Sequence, residues 1–129
     1  MQVRAAVCQG LLGQRAAEQA QGCGPANHAD IAAAIVKPFV SEQHHFMVEQ
    51  HAVFQGYYFF HHLGLDRDAR EAFRGHRWFD FTAEFCAEYD QPAFDPSYDT
   101  PALEHYEPLV RSVLARPKRS LYSRNGDGA

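Results

Sequence analysis

Residues 41–64 read SEQHHFMVEQHAVFQGYYFFHHLG and hold five of the eight histidines: His44, His45, His51, His61 and His62. Ser41 is a favourable helix N-cap, Gly64 is a favourable C-terminal stop, and no proline lies between them. The spacing therefore predicts a helix, with Gly56 as a candidate break before the YYFFHH run. On that helix His44, Val48, His51, Gln55, Tyr58 and His62 share one face at alternating steps of four and three. A face that mixes imidazoles with apolar groups has two readings: a metal or substrate site, or a core whose histidines are hydrogen-bonded within it.

Upstream, Pro38 stops a shorter helix around Val36 or Lys37. Asn27 is its N-cap, and Asp30 sits in the first turn, where the helix end favours an acid. His28, Ile31, Ala32 and Ile35 share a face, which predicts a buried stripe beginning at His28. Residues 1–23, MQVRAAVCQGLLGQRAAEQAQGC, are of another character. Their apolar stripe is only Val3, Val7 and Leu11, and Gly10 and Gly13 each cost about 1 kcal/mol relative to alanine in a helix. Gly22-Cys23-Gly24-Pro25 breaks that segment from the rest.

Downstream, Asp66 is placed to cap a short charged helix, DRDAREAF, which reads as solvated surface and ends at Gly75. A helix over about 78–90 turns Trp78, Thr82, Phe85, Cys86 and Tyr89 inward and Asp80, Glu84 and Glu88 outward. Asp90 falls at its C-terminal end, where the helix dipole disfavours a carboxylate. QPAFDPSYDTP is turn-forming. Leu103, Tyr106, Leu109, Val110, Val113 and Leu114 form a last helical stripe, with Pro108 expected near the first turn. Residues 118–129 read as a disordered tail. No period-2 run of strand length occurs, so the expected class is all-α.

A chain of 129 residues supports one domain with a modest core. Its formal net charge of −4 argues against a nucleic-acid partner. No apolar run approaches the ~20 residues of a membrane span. Cys8, Cys23 and Cys86 form no CxxC pair and fit free thiols in a reducing cytosol, so a soluble cytoplasmic chain is expected. Cys86, on a buried stripe, is expected to be inert.

Three residues on separate helices suit a metal: His28, His51 and Asp90. Imidazole nitrogen and carboxylate oxygen bind iron, manganese or zinc, and helical bundles build such sites from inward-facing side chains. The spacing alone is no signature and fits core histidines and an exposed acid better.

Residues 24–117 resemble the C-terminal half of a bacterial family of HD-domain proteins described as predicted HD phosphohydrolases; FQGYYFFHHLG and DQPAFDPSYDT carry the resemblance most distinctively. That family is in turn similar to the mixed-valence diiron oxygenases that cleave organophosphonates and, more distantly, to myo-inositol oxygenase. The resemblance implies a partial HD-domain bundle of about five to six helices and a two-metal site, iron or another divalent metal. It also implies a small-molecule substrate, with neither nucleic acid nor membrane as partner. The two later histidines of the family's ligand set are similar to His28 and His51, and its terminal Asp to Asp90. Its early His and its His-Asp pair have no counterpart here, since residues 1–23 contain neither His nor Asp. The expectation is a truncated metal-enzyme homologue impaired in metal binding, with a non-catalytic helical interaction module or inactive remnant as the alternative. Apolar faces left uncovered would drive self-association.

Overall fold

The computed structural model describes residues 27–119, and these are helical, without a strand. The order is α1 (His28–Val36), α2 (Glu42–Phe59), a 3-10 turn (Phe60–Leu63) and a second one (Ala69–Phe73). α3 (Phe79–Phe85) then runs directly into a π-helical turn (Cys86–Asp90) and a 3-10 turn (Gln91–Phe94), and α4 (Leu103–Leu114) follows. The all-α class therefore holds. No helix among the described residues is long and apolar enough to cross a membrane. Segment 1–23 and residues 120–129 of the expected tail lie outside the described residues.

α2 is the central element. It buries Phe46, Met47, Val48, His51, Phe54, Gln55 and Gly56, which point to more than one face of the helix. Its start is set by Ser41, whose Oγ accepts the backbone N–H of His44 at 3.3 Å. Gly56 does not break it. The Phe60 ring instead occupies the space where a Cβ at position 56 would stand, so the glycine admits that ring against the helix. The 3-10 turn that follows α2 stops at Gly64, in the left-handed conformation that glycine tolerates best.

α1 packs on α2 through Ala29, Ala32, Ala33 and Val36, whereas Ile31 and Ile35 are 44% and 49% exposed. The expected stripe of His28, Ile31 and Ile35 is thus rotated toward solvent. Small alanines on the inner face shorten the distance at which two helices can cross, and that face has been chosen over the bulkier one. Asn27 occupies the N-cap position of α1 without a side-chain capping bond.

α3 and the π-turn complete the core with Phe79, Phe85 and Cys86, alongside Ala32, Ala33, Val36, Met47, Val48 and Phe54. Thr82 is also buried, while Asp80, Glu84 and Glu88 face solvent as the pattern requires. The charged segment 66–73 is not wholly solvated surface. Phe73 packs against the core, and the Arg70 side chain is only 15% exposed. In a 3-10 turn residues i and i+3 eclipse, so Arg70 is carried inward with Phe73.

α4 departs most from expectation. Pro108 lies inside the helix, because the helix begins five residues earlier, and its nitrogen cannot donate to the Glu104 carbonyl. Of the apolar stripe only Tyr106 is buried, and Leu103 is 64% exposed. Beyond α4 the backbone N–H groups of Lys118 and Arg119 both donate to the Pro38 carbonyl, at 2.7 and 3.2 Å. Arg119 also pairs with Glu42 at 3.1 Å.

Candidate metal centre

His51 stands in the middle of α2 and is 4% exposed. Its Nδ1–H donates to the Val48 carbonyl at 2.6 Å, one turn back along the same helix. A carbonyl can only accept, so this bond fixes the tautomer and leaves the lone pair of a neutral ring on Nε2. Burial holds the imidazole below its ordinary pKa, the Val48 bond opposes this, and the His28 charge adds to the lowering. The neutral ring that results is the form that ligates metals.

His28 opens α1 and brings its Nε2 to 3.2 Å from the Nε2 of His51. The rings meet edge to face, 5.1 Å between centres at 67°. Because His51 already carries its proton on Nδ1, the bridging hydrogen belongs to His28 Nε2, which donates to His51. The separation has a second meaning. Two imidazole nitrogens on one ion, each at ~2.0–2.1 Å with about 100° between the bonds, stand about 3.2 Å apart.

Asp90 ends the π-turn and is partly buried. Desolvation, partly offset by the charge of His28, pushes its carboxyl up to about 6. His28 and Asp90 therefore sense one another electrostatically, while His28 and His51 touch. Among the described residues no group of three or more His, Cys, Asp or Glu side chains is placed to hold a metal ion. The imidazole pair fits two positions of a single ion. A dinuclear centre does not fit the described side chains.

Two amides flank the site. Gln55, one turn beyond His51 and 3% exposed, donates through Nε2 to Oε1 of Gln91, the residue after Asp90. Its own Oε1 is buried without a hydrogen-bond partner. This clasp ties the His51 helix to the segment bearing Asp90. The only sequence signal for it was a glutamine on an otherwise apolar-and-histidine face. Behind His51, the Cys86 thiol lies 3.6 Å from the His51 carbonyl.

The other histidines stand apart from the pair. His44 Nδ1 lies 2.7 Å from Ser41 Oγ, and its ring meets Phe81 edge-on. His76 lies flat on Phe46, with ring centres 4.0 Å apart and planes at 7°. His45 lines a shallow cleft of about 300 Å³ with Lys37, Phe46, Glu49, Trp78 and Arg119. None of His28, His51 or Asp90 lines that cleft.

No family model, no curated protein and no solved structure matches this chain.

Proposed function

We propose that the chain is a metal-binding helical domain of the HD type, a partial HD-domain bundle of about five to six helices. In it His28 and His51 hold one divalent ion through their Nε2 atoms, and Asp90 supplies a nearby carboxylate. The observation that carries this reading is the 3.2 Å approach of two Nε2 atoms, with the Val48 carbonyl fixing the tautomer of one of them. A hydrogen bond behind a histidine is the usual support of a metal-binding imidazole. Iron is the metal favoured by the resemblance of residues 24–117, and the ligand types accept other divalent ions equally.

A bound ion would supply either dioxygen activation or a metal-activated water, the chemistries of an HD-type oxygenase and of a phosphohydrolase respectively. This chain's part is to offer two neutral nitrogens and to keep the Asp90 carboxyl poorly solvated until a cation arrives. Catalytic sites ordinarily take three protein ligands per metal. With two imidazoles and a more distant carboxylate, binding is weak and catalysis impaired.

Metal titration tests the reading, with Co²⁺ as spectroscopic probe and iron content measured in parallel. The expected outcome is no more than one ion per chain, with affinity falling at least about tenfold in His28→Ala and in His51→Ala. Two ions per chain would overturn the single-ion assignment. Uptake unchanged in both variants would overturn the site.

Ile31 and Ile35, exposed at successive turns of α1, favour a second reading: a non-catalytic helical module that self-associates through this face. Light scattering on the wild type and on Ile31→Glu/Ile35→Glu tests it. A monomer in both would dismiss it.

A further inference from the structure

At the C-terminal end of α2 two guanidinium groups converge on one ring. The Arg70 Cζ lies 3.6 Å and the Arg67 Cζ 4.3 Å from the centre of Tyr57. The two cations can be no further than about 8 Å apart, well inside the range over which like charges repel. A π-face attracts each of them, but it carries no net charge to offset the pair.

Asp66, Asp68 and Glu71 share this segment with the arginines. Glu71 lies 3.9 Å from Arg70 Nε, yet its two oxygens accept Arg74 Nε at 2.8 Å and Arg74 Nη2 at 2.7 Å. Asp66 Oδ1 accepts the backbone N–H of Asp68 at 2.8 Å. Arg70 Nε is buried and has no hydrogen-bond partner. His61 and His62, both exposed, have ring centres 3.9 Å apart. Partial desolvation, the charge of His62 and then that of Arg67 hold His61 below its ordinary pKa, which puts Arg67 within electrostatic reach of the histidine pair.

Two guanidinium groups thus converge on one tyrosine, with His61 within electrostatic reach of Arg67, and the Glu71 carboxylate beside Arg70 is already held by Arg74. Guanidinium forks match the oxygens of multiply charged oxyanions, and the strength of such bonds comes from charge on both partners. We propose that Arg67, Arg70, His61 and His62 form a binding site for a small, multiply charged oxyanion, phosphate-like in charge and shape, braced on the Tyr57 ring. Tyr57 follows His51 by six residues, which turns it about 120° around the helix from the imidazole pair. The site does not rest on the metal reading.

Inorganic phosphate is the probe, titrated at constant pH and ionic strength while the His61 and His62 ring resonances are followed by NMR. Saturable shifts are expected, with the apparent Kd raised at least tenfold in Arg67→Gln/Arg70→Gln. Acetate at equal ionic strength should give no saturation. Arg67→Gln alone, at an exposed position, should raise the Kd several-fold and keeps the test usable if the double variant unfolds. Non-saturating shifts, equal binding by the variants, or acetate matching phosphate would each overturn the site.

Discussion

His51 and Tyr57 lie about 9 Å apart along one helix, and they occupy opposite electrostatic regimes. Around His51 water is withdrawn: the imidazole is held neutral, the Asp90 carboxyl is pushed up to about 6, and a glutamine oxygen lies buried without a partner. Around Tyr57 the charges are kept, stacked on a ring and shared among exposed side chains. The first region changes its chemistry by changing protonation. The second is charged already and can only choose its counter-ion. One helix serves both because its middle is buried on several faces while its end runs out into polar turns.

If that division is right, the two regions differ in what they contribute to stability. Phe54, wholly buried between them, packs against Phe73 and Phe79 with ring centres 5.9 and 5.1 Å away. Phe54→Ala should lower the unfolding free energy by about 3–5 kcal/mol, through lost transfer energy and the cavity left behind. Urea denaturation would measure it. A loss below 1 kcal/mol would mean that α2 is not the packed centre of the molecule.

Asp90→Asn is the next largest effect, and its sign is opposite. A carboxyl whose folded pKa is about 6 against an ordinary 3.8 favours the folded state most below about pH 4, and that contribution is lost as the pH rises through about 6. Removing the charge should stabilise the metal-free protein by roughly 1–3 kcal/mol at pH 8 relative to its effect at pH 4, the upper end following from 1.36 kcal/mol per pKa unit. His51 gives the opposite limb. Its folded pKa is depressed, so its contribution is present above about 6.5 and is lost as the pH falls through the folded value. Thermal unfolding between pH 4 and 8 would resolve both limbs. Because the limbs oppose one another, Asp90 is read from the difference between wild type and Asp90→Asn, and a pH-independent difference would show that its carboxyl is not desolvated.

The sequence made the helices legible because their boundaries rest on local chemistry. Ser41, Pro38, Gly64 and Gly75 act through caps, missing donors and positive φ, and all four hold in the structure. The pairing of His28 with His51 was implied by the family resemblance, whereas the stripe expected to bury His28 turns outward. What was not legible depended on the neighbour. Whether α1 offers its alanines or its isoleucines is settled by how closely α2 approaches, and Arg70 turns inward only because the segment winds as a 3-10 turn. Pro108 misleads for a related reason: a proline signals a first turn only when nothing before it is helical, and here Leu103 to Glu107 already are. The Gln55–Gln91 clasp joins residues 36 apart in sequence, and only the position of Gln55 on the His51 face hints at it.

Ser41→Ala is a control on the comparison. The cap supports both regions equally, so its loss should cost about 1 kcal/mol in overall stability. It should leave unchanged the difference in unfolding free energy between pH 4 and 8. A change in that difference would mean that fraying of α2 reaches His51.

The smallest effect belongs to the stacked region. Arg70→Met keeps most of the apolar stem against Tyr57 and removes only the guanidinium. The expected loss is about 0.5–1 kcal/mol, the size of a cation–π contact that retains some solvent. Relief of repulsion from Arg67 works against even that, so the net change should sit at the low end in dilute salt and grow as salt screens the repulsion. Measuring Arg70→Met by urea denaturation at low and high ionic strength separates the two contributions. A loss as large as that of Phe54→Ala would erase the distinction between a buried half of α2 and a charged one, and would make Arg70 a structural post rather than a side chain held ready for an anion.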